Sequence, residues 1–269
     1  MSEGSARVAV VGVLGLGEAG SLIGRDLVAA GVTVRGYDPV AEVPDGIVAT
    51  GSDAEACTGA DLVLSLTTAE EAEAAFRASL PGLSRGVLFA DLNTSGAELK
   101  QRLAATAEQQ GVAFADVAMM APVPGRGIRT PMLVSGDAAA AVAAALTSLG
   151  GNAEAIGGPA GAAASRKLCR SVFYKGMAAA VIESLRAGRA AGCEDWLREN
   201  IAGEIGMQML DRLEEGSITH AARRTEEMAA AADMLSELGV PARIAVASRD
   251  WLAQLTREKV AQPGSRNSA

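Results

Sequence analysis

The chain has 269 residues, enough for one large or two modest domains, and 49% of them are apolar but only 3% aromatic, so its cores must be built from Ala, Val and Leu. A formal net charge of −8 argues against nonspecific nucleic-acid binding, and no uninterrupted apolar run is long enough to predict a membrane span. The first residues, Met1-Ser2-Glu3-Gly4-Ser5, lack the charged and apolar regions of a signal peptide, and Cys57, Cys169 and Cys193 are odd in number and widely spaced. With a single histidine, His220, they form no metal-ligand pattern; free thiols in a cytoplasmic protein are expected, and no metal.

Residues 8–14 form an apolar run that predicts a buried strand and flows into Gly15-Leu16-Gly17-Glu18-Ala19-Gly20. Residues 21–30 follow at helical period, residues 32–37 predict a second strand, and Asp38 closes the unit. In that setting each glycine has its own task. Gly15 permits the tight turn, Gly17 lets the backbone approach a pyrophosphate, and Gly20 brings helix and sheet together. The phosphates would sit on the unpaired N–H groups at the helix start. Asp38 is placed to accept the hydroxyls of an adenosine ribose and to repel a 2′-phosphate. Pro39, Val40 and Ala41 offer no cation for that phosphate, and Arg35 lies three residues earlier, within the strand, so NAD is favoured over NADP.

Further strands are predicted over residues 60–66, 86–91 and 112–117, with helices over 69–80 and 97–110. Leu66 and Thr67, where the first of these strands ends, join the cofactor-facing set. Residues 121–131 are too rich in Pro and Gly for helix; a short strand over 132–135 and a helix over 138–149 follow. Strand signals then vanish, and helices are predicted over 160–191, 194–215, 219–238 and 243–259, with a disordered tail over 261–269. The expected class is α/β: a doubly wound parallel sheet over 1–157, and an all-helical domain over 158–269 joined to it by a long interdomain helix. So small an Ala-rich helical core predicts a homodimer through that domain.

Arg outnumbers Lys twenty to four, which makes Lys100, Lys167, Lys175 and Lys259 each worth a question, because lysine can trade a proton and arginine effectively cannot. Lys167 follows the small-residue run 158–165, with Ser171 and Tyr174 on about the same helical face and Lys175 just beyond it. Arg126 and Arg129 flank the Pro/Gly loop at the carboxyl end of a strand, where open α/β sheets bind ligands. Two guanidinium groups there could clamp a carboxylate or phosphate, or could simply be solvated loop charges.

These residues resemble the β-hydroxyacid dehydrogenase and 6-phosphogluconate dehydrogenase-like superfamily, in the branch with a short phosphogluconate dehydrogenase-like C-terminal domain. The resemblance spans roughly residues 7–255. The glycine turn resembles the family's opening cofactor motif, with Ala19 where methionine is commoner. Asp91-Leu92-Asn93-Thr94 resembles the substrate motif, with Asn93 in place of Ser. The segment from Asp116 through Val123, Pro124 and Gly125 resembles the one lining the substrate carboxylate. Gly158, Gly161 and Lys167 match the spacing of the catalytic-lysine motif, while Ala163 replaces its third glycine and Ser171 its asparagine. A later family Lys-Asp pair is replaced around Thr225-Glu226-Glu227.

The resemblance implies an NAD(P)-dependent dehydrogenase or reductase that moves a hydride between a nicotinamide cofactor and a small hydroxy or keto compound. Lys167 would be its general acid/base, with Asn93, Thr94 and Ser95 bonding substrate or nicotinamide. The substituted asparagine implies a substrate unlike simple 3-hydroxy acids. Two other readings stay open: an imine reductase on the same scaffold, which usually carries Asp or Tyr where Lys167 stands, and a dinucleotide-binding protein without turnover.

Overall fold

The computed structural model describes residues 8–261. The chain divides into two compact units that meet between Lys167 and Leu168. The predicted boundary at Gly157–Gly158 lies ten residues earlier, in the connection that leads into the long helix.

The first unit opens with β1 (Val10–Leu14), α1 (Glu18–Ala29) and β2 (Thr33–Tyr37), and continues through β3 (Val48–Ala49), α2 (Asp53–Cys57), β4 (Leu62–Ser65) and α3 (Ala72–Ser79). Then come β5 (Leu88–Asp91), α4 (Ala97–Gln110), β6 (Ala113–Met119), β7 (Pro131–Ser135), α5 (Ala139–Ser148) and β8 (Asn152–Ala155). The strands form one sheet in the order β3-β2-β1-β4-β5-β6-β7-β8. All pairs are parallel except β6–β7, where Asp116 faces Ser135 across an antiparallel ladder, so the expected parallel sheet reverses once. The reversal follows from connection length: the Pro/Gly loop after β6 carries no crossover helix, and a parallel return needs one.

Alternate strand residues feed opposite faces, as a doubly wound sheet requires. Val11, Val13, Leu62, Leu64, Ala115 and Val117 pack with Ile23 and Leu27 of α1 and Val142 and Leu146 of α5. Leu14, Val63, Phe89 and Phe114 pack on the other face with Phe76 of α3 and Leu103 and Ala107 of α4. Phe76 meets Phe89 edge-on at 4.9 Å between ring centroids, the arrangement that ring quadrupoles prefer.

A long helix, α6 (Ala162–Ala190), leads into the second unit, which adds α7 (Glu194–Ile205), α8 (Met207–Thr219), α9 (Ala221–Glu237) and α10 (Arg243–Ala261). The single helix predicted over 194–215 is instead two, because Gly206 takes a φ of +82° between α7 and α8. That conformation lies in the left-handed region, which a helix cannot pass through. Leu168, Ile182, Met228, Leu252 and Leu255 form one core of this unit, and Val181, Leu185, Leu210 and Leu213 another. Of the tail predicted over 261–269, Ala261 closes α10 and the rest lies outside the described residues. Among the described residues, no helix is long and apolar enough to cross a membrane, no acid, His and Cys cluster could hold a metal, and all three cysteines are free thiols.

Candidate active site

Parallel pairing aligns the carboxyl ends of the central strands. Leu14 is in register with Tyr37 and Ser65, Ser65 with Asp91, and Asp91 with Asp116. The glycine turn, Asp38, Leu66, Thr67 and the Asn93–Ser95 segment therefore all emerge at one edge of the sheet. That is where doubly wound sheets bind ligands.

The three glycines of the turn meet different surroundings. Gly15 has a φ of +87°, and a Cβ there would lie 2.6 Å from the Leu66 carbonyl oxygen. A Cβ on Gly20 would lie 1.9 Å from the Gly15 carbonyl oxygen, so only glycine lets α1 start this close to the turn. Gly17 has nothing within 4 Å of the corresponding position. It is the exposed N-cap of α1, and no side chain caps the helix start. Glu18 is exposed and Ala19 half-buried at that start, while the Leu16 side chain is buried in the core. These features fit a dinucleotide pyrophosphate, which the backbone N–H groups of the first turn would hold.

Asp38 is already engaged by backbone donors. Its Oδ2 accepts from the Leu16 N–H at 2.7 Å, and its Oδ1 from the Val40 and Ala41 N–H groups at 2.8 Å each. Burial raises its pKa, but the bonds from Ala41, Val40 and Leu16 together outweigh that and leave the carboxyl below its ordinary value. Arg35 turns away and donates to the Thr58 carbonyl oxygen at 2.6 Å.

On the segment after β5, Asn93 donates through Nδ2 to Ser65 Oγ at 2.9 Å and to Asp91 Oδ1 at 2.5 Å. Thr67 Oγ1 donates to Asn93 Oδ1 at 3.3 Å. Asn93 is thus held inside the protein. The next residue, Thr94, accepts from Lys167 Nζ at 2.7 Å, so two candidates 73 residues apart in sequence are brought together. Ser95 Oγ is buried with no hydrogen-bond partner among the described residues, an orphaned polar atom beside that pair that would suit a ligand group.

Val123 is buried, while Pro124, Gly125, Arg126 and Arg129 are exposed. Their loop is pinned to α1 by Asp26, whose Oδ2 accepts from the Ile128 N–H at 2.8 Å. In the second unit Ser171 donates to Glu227 Oε1, to which Lys175 Nζ also donates at 2.8 Å. Burial lowers the Lys175 pKa; Glu227 opposes this, and Arg224 and Arg170 add to it. The Tyr174 ring lies under the Arg170 guanidinium at 4.4 Å. A depression lined by Gln101, Glu108, Phe114, Asp137 and Pro159 sits at the amino end of β6. It is at the opposite end of the strands from the glycine turn and contains none of these candidates.

Sequence reasoning missed a buried set beneath the site: Lys100 with Asp91 and Asp116. Lys100 Nζ lies 3.0 Å from Asp91 Oδ2 and 3.2 Å from Asp116 Oδ1. Burial works against its charge, but the two carboxylates prevail and hold its pKa above the ordinary value. The readable signal was an acid inside or at the end of an otherwise apolar strand: Asp116 within β6 and Asp91 closing β5.

The sheet, the open glycine turn and the acid after β2 define a dinucleotide-binding protein of the doubly wound class. The sequence family described as the NAD binding domain of 6-phosphogluconate dehydrogenase matches residues 10–158, and a domain of unknown function (DUF1932) matches residues 189–255. The chain belongs to the 6-phosphogluconate dehydrogenase-like family. It is 28% identical over 210 residues to an NAD-dependent L-serine dehydrogenase of Pseudomonas aeruginosa, covering 68% of this chain and 65% of that one, just under two-thirds of the relative's length. A conserved hypothetical protein from Sinorhizobium meliloti 1021 has a similar structure, with a TM-score of 0.74 and 28% identity over 98% of this chain and 93% of that one. The 3-hydroxyisobutyrate dehydrogenase of Mycobacterium tuberculosis, solved with L-serine, shares the fold, with a TM-score of 0.76 and 22% identity over 94% of each chain.

Proposed function

We propose that this chain is an NAD(P)-dependent oxidoreductase acting on the CH–OH group of a small hydroxy acid, with Lys167 as general acid/base. The observation that carries the reading is the hydrogen bond of Lys167 Nζ to Thr94 Oγ1 at the strand edge that also bears the glycine turn. The names of the relatives, a serine dehydrogenase among them, support a hydroxy acid as substrate class, while Ser171 in place of the family's asparagine favours one other than the simple 3-hydroxy acids those names carry.

A dinucleotide held by the first turn of α1 would supply the hydride acceptor in oxidation. Lys167, as the neutral amine, accepts the hydroxyl proton while the carbinol carbon gives up its hydride; in reduction the ammonium returns the proton to the carbonyl oxygen. Thr94 orients that nitrogen, and Ser95 Oγ offers the substrate or the nicotinamide a hydrogen bond. Asp38, with no cation among Pro39, Val40 and Ala41, favours NAD. Arg126 and Arg129, exposed on the loop that follows β6, would attract the carboxylate.

Lys167→Ala should keep NADH affinity within about threefold while turnover on a panel of short hydroxy acids, L-serine and 3-hydroxyisobutyrate included, falls about 10²–10⁴-fold. Near-normal turnover by the variant ends the reading. A cyclic imine belongs in the same panel, and faster reduction of it than of any keto acid would move the assignment to imine reduction.

A further inference from the structure

We infer that Lys100 is a positioning residue that joins the Thr94 segment and the start of the Lys167 helix into one frame. The inference rests on the function proposed above for Lys167, but its geometry lies wholly within the first unit. Lys100 is completely buried; its ammonium donates a hydrogen bond to the Asp91 carbonyl oxygen at 2.9 Å and forms ion pairs with Asp91 Oδ2 at 3.0 Å and Asp116 Oδ1 at 3.2 Å.

Each aspartate passes the constraint on. Asp91 Oδ1 accepts from the Asn93 backbone N–H at 3.1 Å and from Asn93 Nδ2, which fixes the residue just before Thr94. Asp116 Oδ2 accepts from the Gly161 N–H at 3.1 Å and the Ala164 N–H at 2.9 Å, and from Ser135 Oγ at 3.2 Å. Ser135 Oγ in turn accepts from the Ala163 N–H at 2.9 Å. Ala163 and Ala164 stand four and three residues before Lys167, one helical turn below it on the same face. A carboxylate at a helix start also meets the positive end of the helix dipole, which offsets the second negative charge of this buried set. Gly161 completes the frame, because a Cβ there would lie 2.8 Å from Ala97 at the start of α4.

A buried ion pair is a weak source of net stability, and a Met in place of Lys100 could fill the same space. What the ammonium supplies is direction. Without it two buried carboxylates are left with no cation between them, and their hold on Asn93 and on the helix start changes together.

The test uses the full chain and three variants: Lys100→Met, Asp116→Asn and the milder Ser135→Ala. Thermal melting and NADH titration establish folding and cofactor binding, steady-state kinetics separates kcat from KM, and 13Cε-lysine NMR reports on Lys167. Only four lysines contribute signals, and Lys167→Ala assigns the relevant one. In each variant that folds, kcat should fall about tenfold to a hundredfold while NADH affinity and KM stay within about threefold, and the Lys167 signal should move. Should Lys100→Met not fold, Asp116→Asn and Ser135→Ala decide. Folded variants with wild-type kcat and an unmoved Lys167 signal overturn the inference. The two ideas fail separately: turnover retained in Lys167→Ala defeats the proposed chemistry, while the NMR arm still reports whether Lys100 positions Lys167.

Discussion

At the scale of single residues, Gly17 and Gly20 make opposite predictions although both belong to one turn. A Cβ at Gly20 collides with backbone that cannot step aside, so Gly20→Ala should lose at least about 1–3 kcal/mol of stability. A Cβ at Gly17 meets open space, so Gly17→Ala should melt near the wild-type temperature. It should nonetheless bind NADH about tenfold more weakly, a difference of about 1.4 kcal/mol. Thermal melting with calorimetric titration reads both, and equal destabilisation by the two substitutions would refute the division of labour. Much of this was legible in the sequence, because the turn, Asp38, the Asn93–Ser95 segment and Lys167 are each marked by their neighbours. The Lys100 set was not. Lys100 stands nine positions from Asp91, and Asp116 reaches Ala164 forty-eight positions on, so no local pattern marks the three as a set.

At the scale of elements, the apolar strands and long helices were readable because burial imposes a period on their sequences. The strands missed were β3 and β8, short pieces at the sheet edges whose residues are mostly exposed and so carry no such pattern. The break between α7 and α8 was missed because an isolated glycine within a helical pattern reads as merely tolerated. Within the second unit, Arg186 grips Glu258 through two bonds of 2.9 and 2.6 Å and joins α6 to α10. The hydrogen bonds from Arg186, then from Gln254, hold the Glu258 carboxyl down at about 2, against an ordinary 4.5. A lowered carboxylate pKa contributes stability above the ordinary value and loses it as pH falls from about 4.5 towards 2. Both side chains are partly exposed, so Glu258→Gln should cost about 0.2–1 kcal/mol at neutral pH. Urea melts at neutral pH and near pH 3 should show the gap to wild type narrowing with acidity, and a constant gap would contradict the pair's role.

At the scale of the whole molecule, the helical unit leaves large apolar side chains in water. No residue of α7 is buried, Trp196 is 64% exposed, and Phe173 on α6 is 60% exposed. Exposed apolar residues gathered on one small unit favour association, and we propose a homodimer formed through that unit. Sedimentation equilibrium should give about twice the 27.2 kDa chain mass, and Trp196→Glu should shift the population towards the single chain. A wild-type protein that sediments as one chain at every concentration tested would remove the proposal.

The carboxylate that follows β2 is a structural tie before it is a ligand group, since three backbone donors from the turn and from its own loop already converge on it. Engineers wishing to retarget the protein to a phosphorylated dinucleotide would naturally exchange this acid for a neutral or basic side chain. Here that exchange unfastens the loop that it was meant to re-educate. Altered coenzyme choice in this scaffold must therefore begin by supplying those three donors with new acceptors.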